Sequence, residues 1–140
     1  MILLDTNVIS ELMKRSPHPG VVAWLDRQPR TSVWTTSVTI FEIRLGIQLL
    51  PAGKRREELM ESFRIVVLNK LARRVAVFDI AAAQATAELM SSQQRAGRPV
   101  ELKDAMIAGI ALAANANVAT GNSKHFDDLR VTVINPWTVN

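Results

Sequence analysis

The apolar residues of this chain fall into two spacings: short unbroken runs, and longer stretches with helical periodicity. The segments "ILL" at 2–4, "SVWT" at 32–35, "VAVFD" at 75–79, "VAT" at 118–120 and "VTVI" at 131–134 read as short strands. Between them lie helical stretches. "TNVISELMK" at 6–14 offers Thr6 or Asn7 as a cap, and "HPGVVAWLDRQ" at 18–28 follows it. In "TSVTIFEIRLGIQLL" at 36–50, Val38, Phe41, Leu45 and Leu49 recur at helical spacing as an apolar stripe, which predicts a helix with Ser37 available as cap and Pro51 and Gly53 as the stop. A polar helix pair is predicted from Lys54 to Arg73, one helix from Ile80 to Gly97 and another across 100–116. Strands alternating with helices predict an α/β domain of three layers, with a mainly parallel central sheet and helices on both faces. Ligands of such sheets bind beyond the carboxyl ends of the strands, and Asp5 stands at the end of the first one.

Length and composition narrow the class. A chain of 140 residues predicts one domain over 1–140 that buries a core without staples. The absence of cysteine excludes disulfides, zinc–thiolate sites and thiol catalysis, and is compatible with a reducing cytoplasm, the expected location. The start has no signal-peptide pattern, because Asp5 and Glu11 interrupt it, so the mature protein is expected to begin at or near Met1. The longest apolar run, "AMIAGIALAA" at 105–114, falls short of a membrane span and predicts a buried helix. A net charge of +4 suits either a polyanionic partner or an ordinary basic surface. With three Trp and no Tyr, no base-stacking platform is visible, and Trp24 and Trp34 are expected in the core or in subunit contacts.

Most carboxylates lie among other charges, as Glu57, Glu58 and Glu61 do on an expected solvated face. Asp5, Glu42 and Asp104 differ, because each enters an otherwise apolar segment. Each has a local explanation: Asp5 as a helix cap, Glu42 in a Thr39-x-x-Glu42 capping box, Asp104 in the first turn of its helix. Jointly they ask for more, since an unpaired buried carboxylate either neutralises itself or finds a cation. A shared Mg²⁺ or Mn²⁺ satisfies all three, being a hard ion that takes oxygen ligands and keeps several waters. Such a site supports attack of activated water on a phosphodiester.

Five segments, "MILLDTNVISE", "TSVTIFEIRLGI", "KDAMIAGIALA", "VATGNSKHF" and "VINPW", in this order and spacing, resemble a PIN domain. The resemblance spans essentially the whole chain and is narrower still to the VapC-type toxins of bacterial toxin–antitoxin pairs, including their FitB-like branch. It implies a three-layer PIN-like fold and a metal-dependent ribonuclease that forms homodimers, with higher assemblies in complex, and that a cognate antitoxin inhibits by inserting a segment into the active-site groove. It places Asp5, Glu42 and Asp104 as catalytic carboxylates that hold Mg²⁺ or Mn²⁺, and Thr6 and Ser37 as supporting hydroxyls. Products are expected to carry a 5′-phosphate and a 3′-hydroxyl.

The chain departs from the family pattern at a fourth position. Where an acidic residue is common, this sequence has Asn122 and His125, with Asp127 nearby as a substitute, and Gly121 stands where a basic residue is common. Asn122 offers a carbonyl oxygen, directly or through water, but no charge. His125 is open to three readings: ligand, phosphate contact or exposed residue. Lys54, Arg55, Arg56, Arg73, Arg74, Arg95 and Arg98 are candidates for RNA or antitoxin contact. Two competing readings remain at this level. One is a Mg²⁺-dependent phosphatase, which needs an acidic residue at position 7, where Asn7 stands; the other is a catalytically impaired module that only binds RNA or an antitoxin.

Overall fold

The computed structural model describes residues 1–139. Five parallel strands form one sheet: β1 (Ile2–Leu4), β2 (Val33–Thr36), β3 (Val75–Ala76), β4 (Asn117–Ala119) and β5 (Val133–Ile134), in the order β3-β2-β1-β4-β5. The first strand is central, with Leu3 opposite Trp34 of β2 on one side and Val118 of β4 on the other. Between the strands run α1 (Thr6–Leu12), α2 (Pro19–Arg27), α3 (Ser37–Gln48), α4 (Lys54–Ile65), α5 (Ile80–Arg95) and α6 (Leu102–Ala114).

Alternation along β1 explains the three layers. Ile2 and Leu4 point into a core with Val8, Trp24, Ile43, Ile47 and Phe63, whereas Leu3 points the other way, onto Leu89, Ile107 and Ile110. Helices α1 to α4 therefore cover mainly one face, and α5 and α6 the other. All three residues of β1 are buried, which is why the strand reads as an unbroken apolar run. On the second face α5 and α6 approach closely: a Cβ at Gly109 would collide with the Thr86 hydroxyl, so the contact needs glycine.

Several local expectations are corrected. Helix α1 is capped by Asp5, as one of the readings of that carboxylate had it, and not by Thr6 or Asn7, through a bond from the Thr6 amide at 2.8 Å. Because β2 runs on through Thr36, that residue caps α3 in place of Ser37 and accepts from the Thr39 amide at 3.1 Å. The expected stripe of α3 is largely on the outside: Phe41 is 55% exposed, Leu45 42% and Leu49 76%. Apolar residues nearly encircle this helix, and packing against the sheet selects Ile43 and Ile47 instead. The expected helix pair across 54–73 is one helix whose end widens into a π-turn at Val66–Lys70. Of the segment "VAVFD" only Val75 and Ala76 pair with β2, and Asp79 caps α5. Trp24 is buried in the core, and Trp34 is partly buried against the second face.

Candidate active site

The carboxyl ends of β1, β2 and β4 point to one edge of the sheet, where a cleft of about 970 Å³ opens, lined by Asp5, Glu42 and Asp104. The topology explains why residues so far apart in sequence meet: Asp5 follows β1, Glu42 lies on the helix that leaves β2, and Asp104 sits in the first turn of the helix that leads back to β4.

Asp5 is the most tightly held. It is 5% exposed; Oδ1 accepts from the Thr6 amide, and Oδ2 from the Thr120 hydroxyl at 2.8 Å and the Asn7 amide nitrogen at 3.2 Å. Its own amide donates to the Ala119 carbonyl at 2.9 Å, fastening the corner to β4. Burial pushes the Asp5 carboxyl above its ordinary range, and the bonds from Thr120 and Thr6 pull against that shift.

Glu42 is held on one side by Thr6, whose hydroxyl donates to Oε1 at 3.0 Å and lies 3.3 Å from the Thr39 hydroxyl. On the other side Lys103 Nζ stands 3.9 Å from Oε2. Burial raises the Glu42 pKa, opposed by Thr6 and Lys103. No capping box is formed, since Thr39 is itself bound to the Thr36 cap.

Asp104 faces His125, with Nδ1 3.3 Å from Oδ2, and its amide is capped by Glu101 Oε2 at 3.0 Å. Burial, then the negative charges of Glu101 and Asp5, push its pKa up to about 6, with His125 opposing. The three carboxylates thus share one cost, the burial of their charge, to which neighbouring negative charges add for Glu42 and Asp104. Among the described residues no group of three His, Asp or Glu side chains is already gathered into a metal cage.

The remaining expected residues divide. Thr6 is part of the cluster, but Ser37 is not: its hydroxyl accepts from the Phe78 amide at 3.0 Å, and it lines a different hollow, against Ile40 and Phe63. Asn122, His125 and Asp127 all line the cleft and are exposed. The Asn122 amide donates to the Thr120 hydroxyl, so this loop hangs from the same hydroxyl that holds Asp5. Gly121 has a steric reason to lack a side chain, because a Cβ there would come 2.8 Å from the Trp137 ring. Sequence reasoning missed Thr120, Lys103 and Glu101, and weighed Asn7 only as a helix cap and as a missing acid. Asn7 in fact braces the corner, receiving the Gly121 amide at 2.9 Å while donating to Asp5. The available signal was polarity next to apolar segments, at the ends of β1 and β4 for Asn7 and Thr120 and at the start of α6 for Glu101 and Lys103.

The PIN domain family matches residues 2–131. This chain is a member of the PIN domain family. Among relatives of this PIN domain, a plasmid stability protein StbB of Pseudomonas syringae pv. tomato is 44% identical over 98% of this chain and 99% of its own length. A VapC ribonuclease Y4jK of Sinorhizobium fredii is 39% identical over 98% of both chains. The crystal structure of FitAcB from Neisseria gonorrhoeae superposes with a TM-score of 0.88 at 37% identity, covering 99% of this PIN domain and 100% of that chain.

Proposed function

We propose that this PIN domain is a divalent-metal-dependent endoribonuclease and the toxin of a toxin–antitoxin pair. The observation that carries the reading is the convergence of Asp5, Glu42 and Asp104 on one cleft, where burial disfavours the ionised form of each. The relationship to a VapC ribonuclease supports the substrate class.

The donor set fits a hard ion. All three side chains offer oxygen, the raised pKa values express a demand for a cation, and Mg²⁺ or Mn²⁺ needs only a few carboxylates because water fills the rest of its shell. Asp5, Glu42 and Asp104 would hold the ion, with Asn122 at the edge as a neutral oxygen donor. When bound, it supplies Lewis-acid polarisation of the phosphodiester and an acidified water.

The protein's own contributions are positional. Thr6 uses its amide on Asp5 and its hydroxyl on Glu42, so one residue fixes the angle between two of the carboxylates. Thr120 and Asn7 both donate to Oδ2 of Asp5 and prevent it from turning away, leaving a lone pair of Oδ1 free. Water attacks phosphorus and the bond to the 3′-oxygen breaks, leaving a 3′-hydroxyl and a 5′-phosphate. Asn7 at the position where a phosphatase needs its acid, already committed to Asp5, disfavours phosphatase chemistry.

The exposed row of Phe41, Leu45 and Leu49 on α3 supports a homodimer formed through that face, detectable as twice the protomer mass in light scattering. An antitoxin segment entering the cleft would silence the enzyme, and no described helix is long and apolar enough to cross a membrane, which suits a cytoplasmic toxin. The deciding experiment uses purified protein freed of antitoxin. Asp5→Asn, Glu42→Gln and Asp104→Asn each lower Mn²⁺-dependent RNA cleavage by more than about 100-fold with unchanged circular dichroism; full activity in any two defeats the proposal.

A further inference from the structure

Lys103 occupies a position that local rules disfavour. It lies in the first turn of α6, where the helix dipole repels a cation, one residue before Asp104. Its ammonium is turned onto Glu42 at 3.9 Å, and its side chain is 40% exposed. That pair is long and wet, so it contributes little to the fold. Nor does Glu42 need Lys103 to stay in place, because the Thr6 hydroxyl already fixes Oε1. A local rule broken without structural return marks a functional residue.

Other described cations lining the cleft do different things. Lys14 is engaged by Glu11 at 3.0 Å, Arg98 stands 3.9 Å from Asp128, and Lys124 pairs with no carboxylate. Lys103 is the lysine that touches the carboxylate cluster itself. One divalent ion does not balance three carboxylates, still less the phosphodiester that must join them, so the loaded site still needs a positive group. A lysine on a flexible four-carbon stem, weakly held and adjacent, can swing to supply it.

We propose that Lys103 is an RNA-positioning residue: its ammonium, beside Glu42 at the edge of the carboxylate cluster, contacts a phosphate of RNA bound in the cleft. This rests on the reading of the cleft as a metal-dependent ribonuclease site.

The test compares Lys103→Met and Lys103→Arg with the parent protein. Mn²⁺ binding without RNA is followed by calorimetry, and cleavage of a short mixed-sequence single-stranded RNA is followed at several salt concentrations. For Lys103→Met we expect Mn²⁺ binding no weaker than the parent's, because a competing cation has gone. The KM for RNA should rise roughly tenfold, with a smaller change in kcat. The dependence of log kcat/KM on log salt should become shallower by about 0.7. Lys103→Arg should restore most of the KM. Weaker Mn²⁺ binding by Lys103→Met in step with lost cleavage would instead assign Lys103 to holding Glu42, and unchanged KM and salt slope would remove it from RNA contact; either result overturns the proposal. If the parent protein neither binds Mn²⁺ nor cleaves RNA, the ribonuclease reading itself fails, and the proposal with it.

Discussion

Asp5 and Asp104 face the same cleft but are built on opposite principles. Asp5 is locked into a corner where β1 and β4 end, with every near neighbour donating to it: an amide, a hydroxyl and a carboxamide. Among the described residues no side chain hydrogen-bonds to the Asp104 carboxylate, which faces the His125 ring at 3.3 Å and is strained by burial and then by the charges of Glu101 and Asp5. One carboxylate is therefore fixed in place by hydrogen bonds before a metal arrives, although burial still raises its pKa, and the other is left to the metal for most of its partners. A site arranged this way keeps a fixed anchor for position and a frustrated partner for affinity, so metal binding relieves a local cost as well as forming bonds.

The largest effect on the fold should come from the anchored corner. The Thr120 hydroxyl donates to Asp5 Oδ2 and accepts from Asn7 and from the Asn122 amide at 3.0 Å each. Thr120→Val keeps the shape but leaves a buried carboxylate short of one donor, and it cuts the loop that carries Asn122. A loss of about 1–3 kcal/mol is expected in urea unfolding, with cleavage reduced roughly tenfold because an outer support of a ligand has gone. If stability changes by less than about 0.5 kcal/mol, the corner is not the rigid partner in this comparison.

The frustrated partner predicts the opposite sign. The folded protein keeps a proton on Asp104 up to about pH 6, whereas the unfolded chain releases it near 3.8. Stability associated with this group is therefore full below the unfolded value and is lost as pH rises through the folded one, between about pH 4 and 6. Asp104→Asn removes that loss. Metal-free Asp104→Asn should be more stable than the parent by about 1 kcal/mol at neutral pH, after allowance for partial exposure, and no more stable near pH 4. Saturating Mn²⁺ should stabilise the parent and not the variant, reversing the order. Unfolding curves across this pH range, with and without Mn²⁺, measure all three effects.

What was legible in the sequence follows from the same contrast. An apolar run that ends in a carboxylate is a strong signal because both halves obey simple rules, and the alternation of strands and helices carries the sheet. Asp5, Glu42 and Asp104 were visible as charges in apolar places, and the structure brings them into one cleft. The direction of α3 was not legible. Val38, Phe41, Leu45 and Leu49 make as regular a stripe as Ile40, Ile43 and Ile47, and only packing on the sheet decides between them. Support residues were hidden for a related reason: whether Thr120, Asn7 or Ser37 serves the cluster depends on which strand end lies beside which, a property of the sheet order and not of any local pattern. Ser37 matched by position and still turned away, toward Phe78.

The smallest effect sharpens the comparison most, because it asks whether the exposed side of the cleft holds anything in place. His125 Nδ1 lies 3.3 Å from Asp104, but its side chain is 58% exposed and the two form an ion pair only when the ring is protonated. His125→Ala should alter stability at neutral pH by less than about 0.5 kcal/mol. Its imprint should be on Asp104 instead. The ring acts to lower the Asp104 pKa, so removing it should move the Asp104 titration upward, read from the carboxyl carbon by NMR in metal-free protein. A stability loss as large as that of Thr120→Val would mean that Asp104 is as firmly built as Asp5, and the division between a fixed anchor and a frustrated partner would no longer hold.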